Sequence, residues 1–305
     1  MGGLYGARSE GAGRRFRVFI MRCLTLIAIG ITLLATASRS SAQLVGYEGF
    51  DYTPGTSLSA LNGGTGWERG WATGAQSMTI GTNSLTPPSP ANTLATSGQH
   101  LSLPATTNFT TADRRLTQDL RTIGGGSVWV SFVITRLPDA PAGSYGGLVI
   151  GNEAGTANNS GRLFIGDAGS GSDTWALERA TGGAIGVSNH TIATVPTALL
   201  VANIQFGTTT DTIALYVNRP PGGGTPQSVD AFLSNFDINP SGGVVNDFAV
   251  WYGGDGGYRI DEIRIGASYA DVTPVPEPTG MLALGAVAAG LGCAYRRLRR
   301  SSDPT

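Results

Sequence analysis

The chain has 305 residues, a net charge of −1, 46 glycines, two histidines and two cysteines, Cys23 and Cys293. Both cysteines lie in the terminal segments, so the body between them has no disulfide and no thiolate, and two histidines without cysteine exclude the usual zinc site. The near-neutral sum hides an acidic body: from 43 to 274, ten arginines stand against eighteen acids, a net of −8, which argues against a nucleic-acid partner.

The amino terminus reads as a removable leader. Arg14, Arg15, Arg17 and Arg22 precede an apolar run from Cys23 to Ala37, and Ser40-Ser41-Ala42 puts small residues at −3 and −1 of a cut before Gln43. Residues 1–42 are therefore expected to be a secretory signal helix. Met21 opens a compact signal of its own and is a second candidate start. Arg14-Arg15 invites a twin-arginine reading, but the flanking residues fit general secretion better. No cysteine stands at the cut, which disfavours a lipid anchor.

Residues 43–274 alternate apolar and polar side chains in short runs, with almost no helical periodicity. Val128, Val130, Phe132 and Ile134 share one face of a strand. Leu200, Ala202, Ile204 and Phe206 share another, as do Ile213, Leu215 and Val217, and then Phe248, Val250 and Tyr252. A last strand covers 258–266. Weaker candidates are 44–50, 100–103, 148–151, 162–167 and 174–178. Gly, Pro, Asn, Ser and Thr clusters separate them, such as Pro87-Pro88-Ser89-Pro90. Ten or so short strands with such spacing predict an all-β antiparallel sandwich or barrel. The order of segments, from Tyr47–Tyr52 through Trp67 and Trp71 to Tyr258–Gly266, resembles the concanavalin A-like (laminin G-like) jelly-roll domains of surface proteins. That resemblance implies one jelly-roll β-sandwich. It also implies that the first and last strands pair, bringing Phe50 and Ile263 into one sheet.

Some hydrolases share that fold and carry two carboxylates on one strand face. The nearest match here is Arg259-Ile260-Asp261-Glu262-Ile263-Arg264. Adjacent acids on a strand point to opposite faces, with Glu262 on the face of Ile260 and Arg264. Asp261 and Glu262 therefore cannot work as acid and nucleophile on one sugar, and an ion pair of Glu262 with Arg264 or Arg259 is expected instead. His100 and His190 sit in polar stretches and read as surface or loop residues. No catalytic residue is assigned. Trp67 and Trp71, in a Gly-rich stretch around Glu68-Arg69-Gly70, are candidates for exposed sugar-stacking contacts. Trp129 and Trp251, inside apolar strands, read as buried. Asn152, Glu153, Asp167 and Asp173 are weak calcium candidates against a background of polar turn chemistry, and no cofactor is otherwise expected.

The carboxyl end, 275–305, has three parts. Val275-Pro276-Glu277-Pro278 comes first. An apolar stretch follows, expected as a transmembrane helix over about 279–295 and roughly 25 Å long, against a hydrocarbon core of about 30 Å. Arg296, Arg297, Arg299 and Arg300 then act as a basic membrane stop, cytoplasmic by the positive-inside rule. An ordinary tail anchor would look similar. The motif placed directly before the span resembles the PEP-CTERM sorting signal. That resemblance implies an exosortase-type sorting enzyme as partner, cleavage near the motif and release to the cell surface or extracellular matrix of a Gram-negative-type bacterium. The expected function is a non-enzymatic structural or adhesive role. The alternative is a lectin-like carbohydrate-binding module with polysaccharide as partner, and a glycan-active enzyme is the third reading.

Overall fold

The computed structural model describes residues 44–73, 78–152, 161–169, 173–180, 185–240 and 242–276. All lie in the second of the chain's two compact units, Ala42–Thr305. The expected signal helix, the transmembrane helix, Glu277, Pro278 and the four terminal arginines lie outside them. Val275 and Pro276 are described, and both are exposed. Among the described residues no helix is long and apolar enough to cross a membrane.

The body is an antiparallel sandwich of two sheets. The eight-stranded sheet holds β1 (Leu44–Glu48), β3 (Thr79–Ile80), β4 (Leu101–Leu103), β6 (Ser127–Arg136), β11 (Thr197–Gln205), β12 (Asp211–Val217), β13 (Ala231–Phe236) and β15 (Tyr258–Gly266). Its order is β13-β12-β11-β6-β15-β4-β3, with β1 also beside β15. The seven-stranded sheet holds β2 (Ala72–Thr73), β5 (Thr110–Arg115), β7 (Tyr145–Gly151), β8 (Leu163–Asp167), β9 (Thr174–Arg179), β10 (Ile185–Thr191) and β14 (Asp247–Gly253), in the order β10-β9-β8-β7-β14-β5-β2. One short helix, α1 (Tyr269–Val272), follows β15, capped by Ser268 Oγ accepting from Asp271 N–H.

The alternation seen in the sequence places the core. Val128, Val130, Phe132 and Ile134 of β6 face Phe248, Val250 and Tyr252 of β14 across one hydrophobic layer. The other face of the eight-stranded sheet is covered as well. Trp129, Val133, Leu199, Val201 and Tyr216 pack under Tyr269 and Val272 of α1 and under Ala91 and Leu94. Burial on both faces explains why β6 and β11 are almost wholly buried rather than half-buried.

The first and last strands do pair, antiparallel, with Glu48 opposite Ile263. Phe50 lies beyond the end of β1, with φ 51°, and stacks on Trp71 at 6.1 Å instead of extending the ladder. The free side of β15 is divided: Tyr258–Ile260 pair with β4, and Ile263–Gly266 with β1. At the handover a bulge falls between Asp261 and Arg264, and Glu262 has φ 56°. The bulge corrects the expected facing. Ile260, Ile263 and Ile265 all belong to the inner core, so the period-2 phase slips by one residue: Glu262 does not share a face with Ile260, and Asp261 and Glu262 both lie away from the inner core instead of on opposite faces. Glu262 does pair with Arg264, at 2.5 Å, while Arg259 is exposed.

Candidate functional site

On β14 the inward residues are Phe248, Val250 and Tyr252, so Ala249 and Trp251 point to the outer face of the seven-stranded sheet. Strand register then fixes two rows on that face. One runs Asp113, Ala249, Val149, Phe164, Glu178, Ile185. The next runs Thr111, Trp251, Gly147, Gly166, Ala176, Val187. Gly147 and Gly166 leave bare backbone between Trp251 and Ala176. Val149, Phe164, Ala249 and Trp251 form an apolar cluster of their own on this face.

A depression of about 310 Å³ opens here, lined by Phe109, Tyr145, Phe164, Ala168, Glu178, Ala180 and Trp251. Phe109 is 42% exposed and meets the Trp251 indole edge-on, with 5.0 Å between ring centroids and an interplanar angle of 88°. The buried Arg162 guanidinium lies 5.4 Å from the Trp251 ring centroid. Desolvation raises both the Glu178 carboxyl and the Tyr145 phenol above their usual values. The result is a small concavity in which Phe109 supplies most of the exposed aromatic surface, Trp251 and Phe164 being 6% and 4% exposed behind it; with two polar groups beside it, this suits the apolar face and hydroxyl edge of a sugar ring.

Hydrolytic chemistry is not built into this face. Glu178 is the only carboxylate among the described lining residues. The other outward acids of the sheet are Asp113 and Asp247, on β5 and β14. Four strand intervals separate Asp113 from Glu178, or about 19 Å, and three intervals, about 14 Å, separate Asp247 from it. Glycosidase pairs stand about 5–9.5 Å apart. Asp113 and Asp247 are also engaged by Arg69 at 2.6 Å and Arg115 at 2.7 Å.

Trp67 and Trp71 do not form an exposed platform. Trp71 is 2% exposed, and its indole N–H donates to Glu48 at 3.2 Å. Trp67 is half-buried; its N–H donates to the Tyr47 carbonyl at 2.8 Å and its ring meets Phe248 edge-on. Both rings enclose the Arg114 guanidinium, at 4.3 and 5.1 Å. The Gly-rich stretch that suggested exposure serves close approach instead. Gly64 and Gly66 adopt φ of 72° and 81° against the Tyr47 and Val45 carbonyls, where a side chain would collide with backbone.

Of the calcium candidates, Asp167 and Asp173 come together, but around Arg136, which pairs with both. Asp167 is buried, accepts from Tyr258 O–H at 2.8 Å, and has its carboxyl raised by desolvation to about 6. Asn152 is described, and Glu153 lies outside the described residues. No group of three or more His, Cys, Asp and Glu converges among the described residues. His100 is 8% exposed rather than on the surface, with Nδ1 2.6 Å from the Asn83 carbonyl; His190 lies in β10.

The residues that sequence reasoning passed over are Phe109, Tyr145, Phe164 and Glu178; Trp251 was read as buried and is 6% exposed. Only its direction was there to be read: three inward neighbours at 248, 250 and 252 turn it to the outer face, where Phe109 covers it. No known protein family matches the chain, and no curated protein matches it. Solved structures similar to it include an endo-1,3-β-glucanase from Streptomyces sioyaensis, with 13% identity and a TM-score of 0.46, covering 75% of this chain and 97% of that one. The globular domain of T. cruzi calreticulin has 10% identity and a TM-score of 0.44, covering 75% and 90%. The lectin UEA-II complexed with galactose has 10% identity and a TM-score of 0.37, covering 72% and 97%. At these values nothing about ligand or activity passes from them to this chain.

Proposed function

We propose that this is an exported bacterial surface or matrix protein whose β-sandwich body holds polysaccharide without cleaving it. In this reading the structural or adhesive role is exercised through carbohydrate binding at the Trp251 depression. The observation that carries it is the outer-face concavity, with the exposed Phe109 ring set on Trp251, Phe164 beside them, and Glu178 as the single carboxylate among its described lining residues. The separation of Glu178 from Asp113 and Asp247 favours binding over hydrolysis. Export draws support from the leader over 1–42. Sorting draws support from Val275–Pro278, the apolar stretch and the terminal arginines, with an exosortase-type enzyme as partner.

The test is a glycan array on the full-length protein in detergent, beside its Trp251→Ala variant. Binding of neutral oligosaccharides that the variant loses supports the reading. Binding that survives in the variant, or release of reducing ends from a polysaccharide, overturns it. Mass spectrometry of surface material tests sorting: an intact Arg296–Arg300 end would leave a plain membrane anchor.

A further inference from the structure

A second concavity, of about 670 Å³, shares no residue with the Trp251 depression. It lies where the start of β11 and the end of β12 meet the loop carrying Pro88 and Pro90, with Pro196 and Pro220 completing rigid walls. One arginine, Arg219, and one histidine, His190, line it, and no Asp or Glu is among its described lining residues. On a body with a net charge of −8 such a lining is unexpected.

One buried acid, Asp230, contacts both side chains. Asp230 has a side chain 5% exposed. It accepts from Arg219 Nε at 3.0 Å and Nη2 at 2.5 Å, and from the Val217 N–H at 2.8 Å; His190 Nε2 stands 3.3 Å from it. This side-on pairing uses one edge of the guanidinium. The other edge, Nη1 with the second proton of Nη2, has no hydrogen-bond partner among the described residues, and the side chain is 28% exposed. A fork held in this way matches a planar oxyanion, and the Thr86 and Ser89 hydroxyls on the rim match ring hydroxyls.

We infer that this cleft is a separate site for an anionic sugar, with Arg219 as the anion contact, His190 beside it and Asp230 as their positioning residue. The ligand class is a polysaccharide bearing a carboxylate or a sulfate on each ring, as distinct from the neutral sugar read for the Trp251 site. Two sites of different chemistry would let one body bridge two kinds of chain.

The test is calorimetric titration of the full-length protein in detergent with oligogalacturonate, a sulfated oligosaccharide and a neutral oligosaccharide of equal length. An anionic probe should bind, weaken with added salt, and bind equally well to Trp251→Ala. Which anionic probe binds says whether the group is a carboxylate or a sulfate. Arg219→Gln should weaken binding about tenfold or more. Ser89→Glu, which adds a negative rim charge and leaves the Asp230 pairings intact, should do the same even if Arg219→Gln fails to fold. Loss of anion binding in Trp251→Ala, no effect of either cleft variant, or no binding of any anionic probe overturns the inference. Failure of the neutral probe alone counts against the Trp251 site and leaves the cleft standing.

Discussion

The Glu48 carboxylate and the Arg114 guanidinium form an ion pair from which water is excluded on both sides, their side chains 1% and 0% exposed. Glu48 also accepts from Tyr52 O–H at 2.9 Å and Phe50 N–H at 2.8 Å, and Arg114 donates to the Gly63 and Arg69 carbonyls at 3.2 Å. This pair ties β1, β5 and the loop between β1 and β2 into one unit. Removing one charge leaves the other buried without its partner. Glu48→Gln or Arg114→Met should each cost about 3–5 kcal/mol, read from urea unfolding. The double variant should lose less than the sum of the two. Single losses below about 1 kcal/mol would mean that the pair is solvated.

The two aromatic settings should separate binding from stability. Phe109→Ala removes a 42% exposed ring that props Trp251. It should weaken neutral-glycan binding about three- to tenfold and leave thermal stability almost unchanged. Trp67→Ala removes a ring packed against Phe248, Trp71 and Arg114. It should cost about 3–5 kcal/mol and leave the affinity of the folded fraction unaltered. The reverse pattern would return the binding role to Trp67.

Acidification should stabilise the body. Asp261 is buried, and desolvation raises its carboxyl to about 8 although Ser84 O–H and Leu85 N–H donate to it at 2.6 and 2.8 Å. Its folded value lies above its unfolded one, so the folded state binds more protons between about pH 4 and 8. The contribution is full below about pH 4 and is lost as pH rises through 8. Desolvation raises Glu262 in the same direction. Melting temperature followed from pH 5 to 9 should therefore fall, and Asp261→Asn should flatten the slope. A rising curve, or an unchanged slope in the variant, contradicts the assignment.

Gly147 lies between Trp251 and Gly166 in the outer row, and a Cβ there would press on the Ile165 carbonyl and the Gly166 backbone. Gly147→Val should cost about 1–3 kcal/mol by overpacking. It should also weaken neutral-glycan binding, because it displaces the strand backbone beside Trp251. Full stability with full binding in the variant would show that the strands have room to part.

The fold was legible wherever an apolar face met a polar one. Val128, Val130, Phe132 and Ile134 recur at every second position because that side of β6 meets the inner core, and this was enough to identify the strand although Trp129 and Val133 are buried on the other side. β5 escaped notice because Thr110–Arg115 is polar and its inward residue at 114 is an arginine balanced by a glutamate 66 residues away. β10 and β13 were missed for a related reason: Ile185, Val187 and Phe232 are exposed apolar residues on polar edge strands. The bulge at Glu262 is set by where β4 yields to β1, a tertiary condition with no local signature. Trp67 and Trp71 were misplaced because glycines in a loop look the same whether they loosen it or let it fold tightly against β1.

β15 lies between β6 on one side and β1 and β4 on the other, so the last strand of the body is also among its most central. An amino-first delivery, from ribosome or translocation channel, leaves a gap in the eight-stranded sheet until Tyr258–Gly266 emerges. Until then nothing joins β1 or the β3–β4 pair to the rest of the sheet, and β6 exposes an apolar ladder edge. Assembly of this body is thus timed by its carboxyl end, and the waiting chain is the form most open to aggregation or proteolysis. A chaperone or a nearby carbohydrate surface that shields β6 during that interval would raise the yield of folded protein without altering the finished structure.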